Sequence, residues 1–157
     1  MPWVVDTCLV IDVLDADPEF GPASAQLLDD TAHEGLVLCP VSYVELAPAF
    51  LGDTARQDEF LGSIGVDWHD AWQWADTLNA HRAWDHYVAL RRARHIPRRP
   101  VADVLIGAFA LRYQGLLTRN VEDFRLLFPN LRMMSRSDGG PREPRGSRRG
   151  RGSAAGT

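Results

Sequence analysis

The chain has 157 residues, 45% of them hydrophobic, which suits one domain with a real core and leaves no room for a second catalytic domain. Its net charge of −4 is unevenly held: residues 136–157 carry six Arg against Asp138 and Glu143, so residues 1–135 stand at −8. All 17 basic residues are Arg, which excludes lysine general-base, Schiff-base and P-loop chemistry, and an acidic body needs a bound cation, local arginines or the tail for any nucleic-acid role.

The N-terminal MPWVVDTCLVID has no basic start and its apolar run is broken by Asp6, so neither a signal peptide nor a membrane anchor is expected. No stretch approaches the ~20 apolar residues of a membrane span. Trp3–Val5 reads as a buried strand ending in a carboxylate, followed by a helix around Ala23–Glu34 that Gly35 closes and by a second strand, Leu36–Cys39. The opening is thus β-α-β, the pattern of a parallel sheet. Cys8 and Cys39 sit in apolar surroundings without metal-knuckle spacing, as buried, reduced thiols of a cytoplasmic protein would.

After Pro40, Ser42 and Glu45 have capping-box spacing and predict a short helix ending near Gly52; Asp53 predicts the cap of another, through Leu61. Ile64–Asp67 suits a third strand. Asp70–Arg94 is helical in composition, with Ala71, Trp74, Ala75 and Leu78 on one face. The apolar phase slips near Asn79–Arg82, predicting two helices rather than one. Pro100 precedes VADVLIGAFALRYQG, a helix apolar on nearly all sides and closed by Gly115. A strand at Leu116–Thr118, a helix over Val121–Leu127 and a strand at Leu131–Met134 complete a body spanning residues 1–135. Residues 136–157, rich in Gly, Pro, Ser and Arg, read as a disordered tail, either adding salt-dependent RNA affinity or merely solubilising.

Asp6, Glu45 and Asp103 each lie in or beside an apolar run, where an unpaired carboxylate costs several kcal/mol, and no Lys exists to pair with them. A divalent cation would offset that cost. In an open α/β sheet ligands bind beyond the C-terminal strand ends, and Asp6, Glu45 and Asp123 each follow a predicted strand, with Asp103 opening a helix near the same edge. Oxygen donors without His or Cys suit Mg²⁺ or Mn²⁺ rather than Zn²⁺. Plainer roles exist for each residue: a turn after the strand for Asp6, the third helical position of the capping box for Glu45, and dipole-favoured first-turn charges for Asp103 and Asp123, with Glu122 an alternative to the last.

Four blocks, VVDTCLVID at 4–12, PVSYVEL at 40–46, PVADVLIGAFA at 100–110 and LLTRNVEDF at 116–124, resemble in order and spacing those of PIN-domain nucleases, particularly the VapC-type toxins of toxin–antitoxin pairs. The resemblance covers Trp3 to about Met134. It implies a three-layer α/β/α PIN-like fold with a central parallel sheet, and Mg²⁺ or Mn²⁺ held by Asp6, Glu45, Asp103 and Asp123, with Thr7, Thr118 and Asn120 in support. The position after Asp-Thr is often Asn or Ser in such proteins; Cys8 offers no comparable hydrogen bond.

The implied function is endoribonuclease activity as the toxin of such a pair, in a homodimer, with water attacking RNA phosphodiesters in line to leave 5′-phosphate and 3′-hydroxyl ends. A cognate antitoxin would occupy the acidic cleft. An RNA-processing PIN nuclease without a toxic role, and a PIN-like module that binds RNA or a partner without cleaving, are the alternatives. A phosphatase of another fold lacks its paired-Asp motif, since 6–8 reads Asp-Thr-Cys. Arg119 suits either an RNA phosphate or a solvated surface. Among His69, His81, His86 and His95, the pair His81 and His86 has no zinc spacing. Trp68, Trp72, Trp74 and Trp84 read as core rather than as a stacking platform for bases, with the lining of a groove for a partner helix a further alternative.

Overall fold

The structure is a computed structural model that describes residues 1–94 and 96–136. Five strands, β1 (Trp3–Val5), β2 (Leu36–Leu38), β3 (Val66–Asp67), β4 (Leu116–Leu117) and β5 (Met133–Met134), form one sheet in the order β3-β2-β1-β4-β5, every pairing parallel. β1, β2 and β4 are buried along their whole length, which is why they read as continuous apolar runs rather than alternating ones.

Among the described residues seven α-helices connect them: α1 (Thr7–Leu14), α2 (Gly21–Thr31), α3 (Pro40–Glu45), α4 (Thr54–Ser63), α5 (Trp74–Arg94), α6 (Val101–Ala110) and α7 (Val121–Leu127). The pleat sends Trp3, Val5, Leu36 and Leu38 to one face, where they meet Leu9 and Val10 of α1, Leu27 and Leu28 of α2 and Leu61 of α4. Val4 and Val37 point to the other, against Ala80, Ala83 and Tyr87 of α5, Ile106 and Phe109 of α6 and Phe124 of α7. The three-layer arrangement expected from the sequence is therefore present. No helix among the described residues is long and apolar enough to cross a membrane.

Chain order runs outward from β1 in both directions, through β2 and β3 on one side and β4 and β5 on the other. The crevice between the C-terminal ends of β1 and β4 is thus a topological switch point, where such sheets bind ligands.

Four expectations need correction. Residues 7–14, unassigned from the sequence, form α1 directly after β1. The capping box is absent: α3 starts at Pro40 with Cys39 at its cap, Ser42 is a buried third residue whose Oγ has no partner, and Glu45 ends the helix. Residues 74–94 form one helix, because its buried stripe runs Asp76, Ala80, Ala83, Tyr87 in unbroken helical spacing. That stripe begins with an acid counted as polar, and the expected face of Ala71, Trp74, Ala75 and Leu78 is exposed. The tryptophans, too, are not simply core: Trp74 and Trp84 are 73% and 39% exposed, and Trp72 is half-buried against the Phe109 ring. Asp53 does cap α4, accepting from Arg56 N at 3.1 Å. The predicted tail beyond Arg136 and His95 lie outside the described residues.

Gly115 enters β4 where the sheet is tightest: a Cβ there would lie 2.2 Å from the Arg132 carbonyl oxygen and 2.8 Å from the Trp3 ring. The same carbonyl accepts from Leu116 N at 2.9 Å, so relief would separate β4 from β5. Gly115→Ala is expected to lower the unfolding free energy by about 2–3 kcal/mol through overpacking against backbone, read from urea denaturation.

Candidate active site

Asp6 occupies the cap position of α1 with extended backbone, yet its side chain makes no capping bond. The carboxylate instead turns into the switch-point crevice, 5% exposed, and Oδ2 accepts from Thr118 Oγ1 at 2.7 Å and from Cys8 Sγ at 3.3 Å. Thr118 lies just beyond β4, so this bond spans the two central strands. Burial raises the Asp6 pKa, against the pull of the Thr118, Cys8 and Thr7 hydrogen bonds, and the Glu45 charge raises it further. Cys8 therefore reaches the centre through a long sulfur contact, where the sequence suggested no useful bond.

Glu45, exposed at the last residue of α3, receives Thr7 Oγ1 on its Oε1 at 2.8 Å. A carboxylate at a helix C-terminus gains nothing from the dipole, so the helix-stabilising role considered for it does not apply. Asp103 is the third residue of α6 and Asp123 the third of α7. The pKa of Asp103 is pushed up to about 6 by burial, then by the charges of Asp6 and Glu45; Arg99 opposes them, and Asp123 adds a smaller push. One side chain thus feels all three other acids. Asp103 is the residue at which carboxylates from the other three chain segments act together.

Of the supporting residues, Thr7 and Thr118 donate hydroxyls directly to Glu45 and Asp6. Asn120 acts through its backbone, whose N–H donates to Thr118 Oγ1 at 3.0 Å. Sequence reasoning missed Arg99, whose guanidinium pairs with Asp123 Oδ1. The available signal was its place in a run of arginines four residues before Asp103. Arg119 is exposed, as the surface reading expects, but its guanidinium is already engaged. Its Nε and Nη2 grip Asp12 at 2.7 and 3.0 Å, Asp12 also accepts from Ser24 Oγ at 2.8 Å, and the guanidinium lies 4.1 Å from the Phe20 ring centroid. Both thiols stay protonated, burial pushing Cys8 up to about 12 and Cys39 up to about 11.

The donor set is oxygen-only, and the hydrogen bonds from Thr118 and Cys8 both fall on Asp6 Oδ2, leaving Oδ1 without a side-chain donor. In kind, these groups fit a hard divalent cation. Among the described residues no group of three or more His, Cys, Asp or Glu is already arranged to hold a metal ion. Asp123 is engaged by Arg99.

No family model matches the sequence, and no curated protein matches it. Solved structures do. A chain of VapBC2 from Rickettsia felis, solved bound to a DNA fragment from their promoter, superposes with a TM-score of 0.63 at 17% identity, over 87% of this chain and 100% of that one. A chain of VapBC-1 from nontypeable Haemophilus influenzae gives 0.61 at 18% identity, over 86% and 98%. The chain has the PIN-like fold.

Asp103 ionises near 3.8 when unfolded and near 6 when folded, so the native state retains a proton across that interval and stability falls as pH climbs through it. Asp103→Asn is expected to reduce this fall, to which buried Asp6 contributes in the same sense, and to stabilise the protein at pH 7 by about 1 kcal/mol, less than the full shift implies because solvent screens a part-exposed carboxylate. Denaturation series at pH 4, 6 and 7 read both. Arg119→Ala leaves Asp12 buried and uncompensated and is expected to cost about 3 kcal/mol in the same assay, with Arg119→Lys intermediate because it keeps the charge and loses the fork.

Proposed function

We propose that the chain is a divalent-cation-dependent endoribonuclease that serves as the toxin of a toxin–antitoxin pair. The observation that supports the reading is that Asp6 lies buried at the switch point, bound by Thr118 across the two central strands, and that the charges of Asp6, Glu45 and Asp123 all act on Asp103. The four blocks that hold these acids are those that resemble VapC-type toxins, and the fold is shared with chains of VapBC assemblies.

The four carboxylates would hold Mg²⁺ or Mn²⁺. When bound, the cation supplies the positive charge that activates water and stabilises charge on the leaving 3′-oxygen of an RNA phosphodiester. Thr118 fixes the rotamer of Asp6, so that Oδ1 is the oxygen offered to the crevice. Thr7 does the same for Glu45. Arg99 neutralises Asp123 while the acids stand alone and is placed to meet a phosphate oxygen once that carboxylate is engaged elsewhere. No covalent nucleophile is required, and the thiols beside the site remain protonated and inert. Reduced thiols accord with a cytoplasmic setting. A cognate antitoxin and a second copy of the chain are the protein partners of this reading, and exposed Val44, Trp74 and Trp84 offer apolar area for such contacts.

Purified protein should cut a structured RNA in the presence of Mn²⁺ or Mg²⁺ and cease on addition of a chelator. Asp6→Asn and Asp103→Asn are expected to lose on the order of 10²-fold or more in rate, and Thr118→Val about 10-fold, the usual cost of losing a group that orients a ligand. Undiminished cleavage by Asp103→Asn would sink the proposal. Induced expression should arrest growth, and the product of a short neighbouring reading frame should relieve it; cleavage without arrest would point instead to an RNA-processing nuclease.

A further inference from the structure

An acidic body that cuts RNA must overcome its own repulsion of the substrate. Residues 1–135 hold nineteen acids against eleven arginines, and five of those arginines fall within residues 91–99 with no acid among them. Arg91, Arg92 and Arg94 lie in the last turn of α5, while Arg98 and Arg99 immediately precede α6. A helix C-terminus welcomes one or two cations through its dipole, but that leaves most of this charge without a local cause.

Within the described residues, Arg91, Arg92, Arg94 and Arg98 make no ion pair and no side-chain hydrogen bond, and all but Arg91 are exposed. The contrast with Arg112 and Arg119 is direct: those two are fastened to buried aspartates. The approach to α6 is nevertheless held in place. Tyr87, 1% exposed, donates its hydroxyl to the Pro97 carbonyl at 2.8 Å and accepts from Arg99 N, and Arg99 reaches Asp123. A buried phenol and an ion pair therefore secure the two ends of the segment, α5 and Arg99, against α6 and α7, the helices that carry Asp103 and Asp123.

We infer that Arg91, Arg92, Arg94 and Arg98 form the grip on the RNA backbone, binding phosphates that flank the scissile one and delivering the strand to the carboxylates. The inference rests on the ribonuclease reading for its ligand, and it is separable from that reading because binding can be measured without cleavage. Guanidinium forks match phosphate oxygens, and unpaired, exposed forks release counterions when a polyanion binds.

The test is fluorescence anisotropy of a labelled RNA hairpin with single-stranded flanks, titrated with the full chain in chelator across a salt series. The variant is Arg91→Gln, Arg92→Gln, Arg94→Gln and Arg98→Gln together, which leaves Arg99 and the carboxylates intact. Expected are a loss of at least tenfold in affinity near 0.1 M salt and a salt-dependence slope shallower by about 2–3, at roughly 0.7 per phosphate for single strands. Mn²⁺ affinity of the RNA-free variant should equal that of the parent. An unchanged slope overturns the inference. So does an equal loss in the exposed control Arg56→Gln, Arg82→Gln, Arg125→Gln, or a loss confined to Gln substitution of Arg142, Arg145, Arg148, Arg149 and Arg151. RNA held through residues 91–98 but never cut would instead overturn the nuclease reading and leave this one standing.

Discussion

The hydrogen bond from Thr118 Oγ1 to Asp6 Oδ2 ties the two strands on which the whole arrangement turns. β1 and β4 flank the point where the chain's direction of travel across the sheet reverses, so the gap beyond their ends is the one place the topology leaves open. Asp6 cannot retreat from it: the backbone places it directly after Val5, and burial makes its charge expensive. The Thr118 hydroxyl offsets part of that expense and orients the carboxylate. The remainder is the electrostatic tension that recommends the crevice to a cation.

Two further aspartates sit in the core, and the same device relieves both. Asp12 in α1 is fastened by Arg119, one residue past Thr118; Asp76 in α5 is fastened by Arg112, one turn past α6, through Nε at 2.7 Å and Nη2 at 2.9 Å. Each guanidinium also lies over aromatic rings, Phe20 in one case and Phe109 with Tyr113 in the other. One lock fastens a helix of each layer to the chain segments around β4. Leaving either carboxylate unpaired would cost about 3–5 kcal/mol. A chain without lysine is suited to such locks, because only the planar fork satisfies both oxygens of a carboxylate at once.

Much of this was readable from the residues. Continuous apolar runs at Trp3–Val5, Leu36–Cys39 and Leu116–Thr118 announced buried parallel strands, which form within each of them, and charges in or beside apolar runs singled out Asp6, Glu45 and Asp103. What escaped were features whose cause lies far away in sequence. α5 looked broken because its buried face begins with Asp76, and only Arg112, thirty-six residues on, makes that acid a core residue. Glu45 looked like part of a capping box because Pro40, read as a strand stopper, is in fact the first residue of the helix. Arg119 looked available to phosphate because its partner, Asp12, lies 107 residues earlier. Arg99 was overlooked because its partner, Asp123, lies 24 residues on, and its place in a run of arginines does not by itself name that partner.

The charge distribution follows from these pairings. Arg112 and Arg119 are consumed by buried aspartates, and of the arginines left over five cluster at the end of α5 and just before α6. Ionising Asp103 is costly, its pKa pushed up to about 6 by burial and then by the charges of Asp6 and Glu45. Arg99 supplies a partial counter-charge, to Asp123. A polyanion approaching the crevice would meet repulsion from the acids and attraction from the arginines beside them, and the balance shifts toward binding only when positive charge enters the acid cluster. Were a cation to claim Asp123 as proposed, it would release the guanidinium that this carboxylate now holds and add a fifth fork to the surface beside it, which would couple cation occupancy to phosphate affinity.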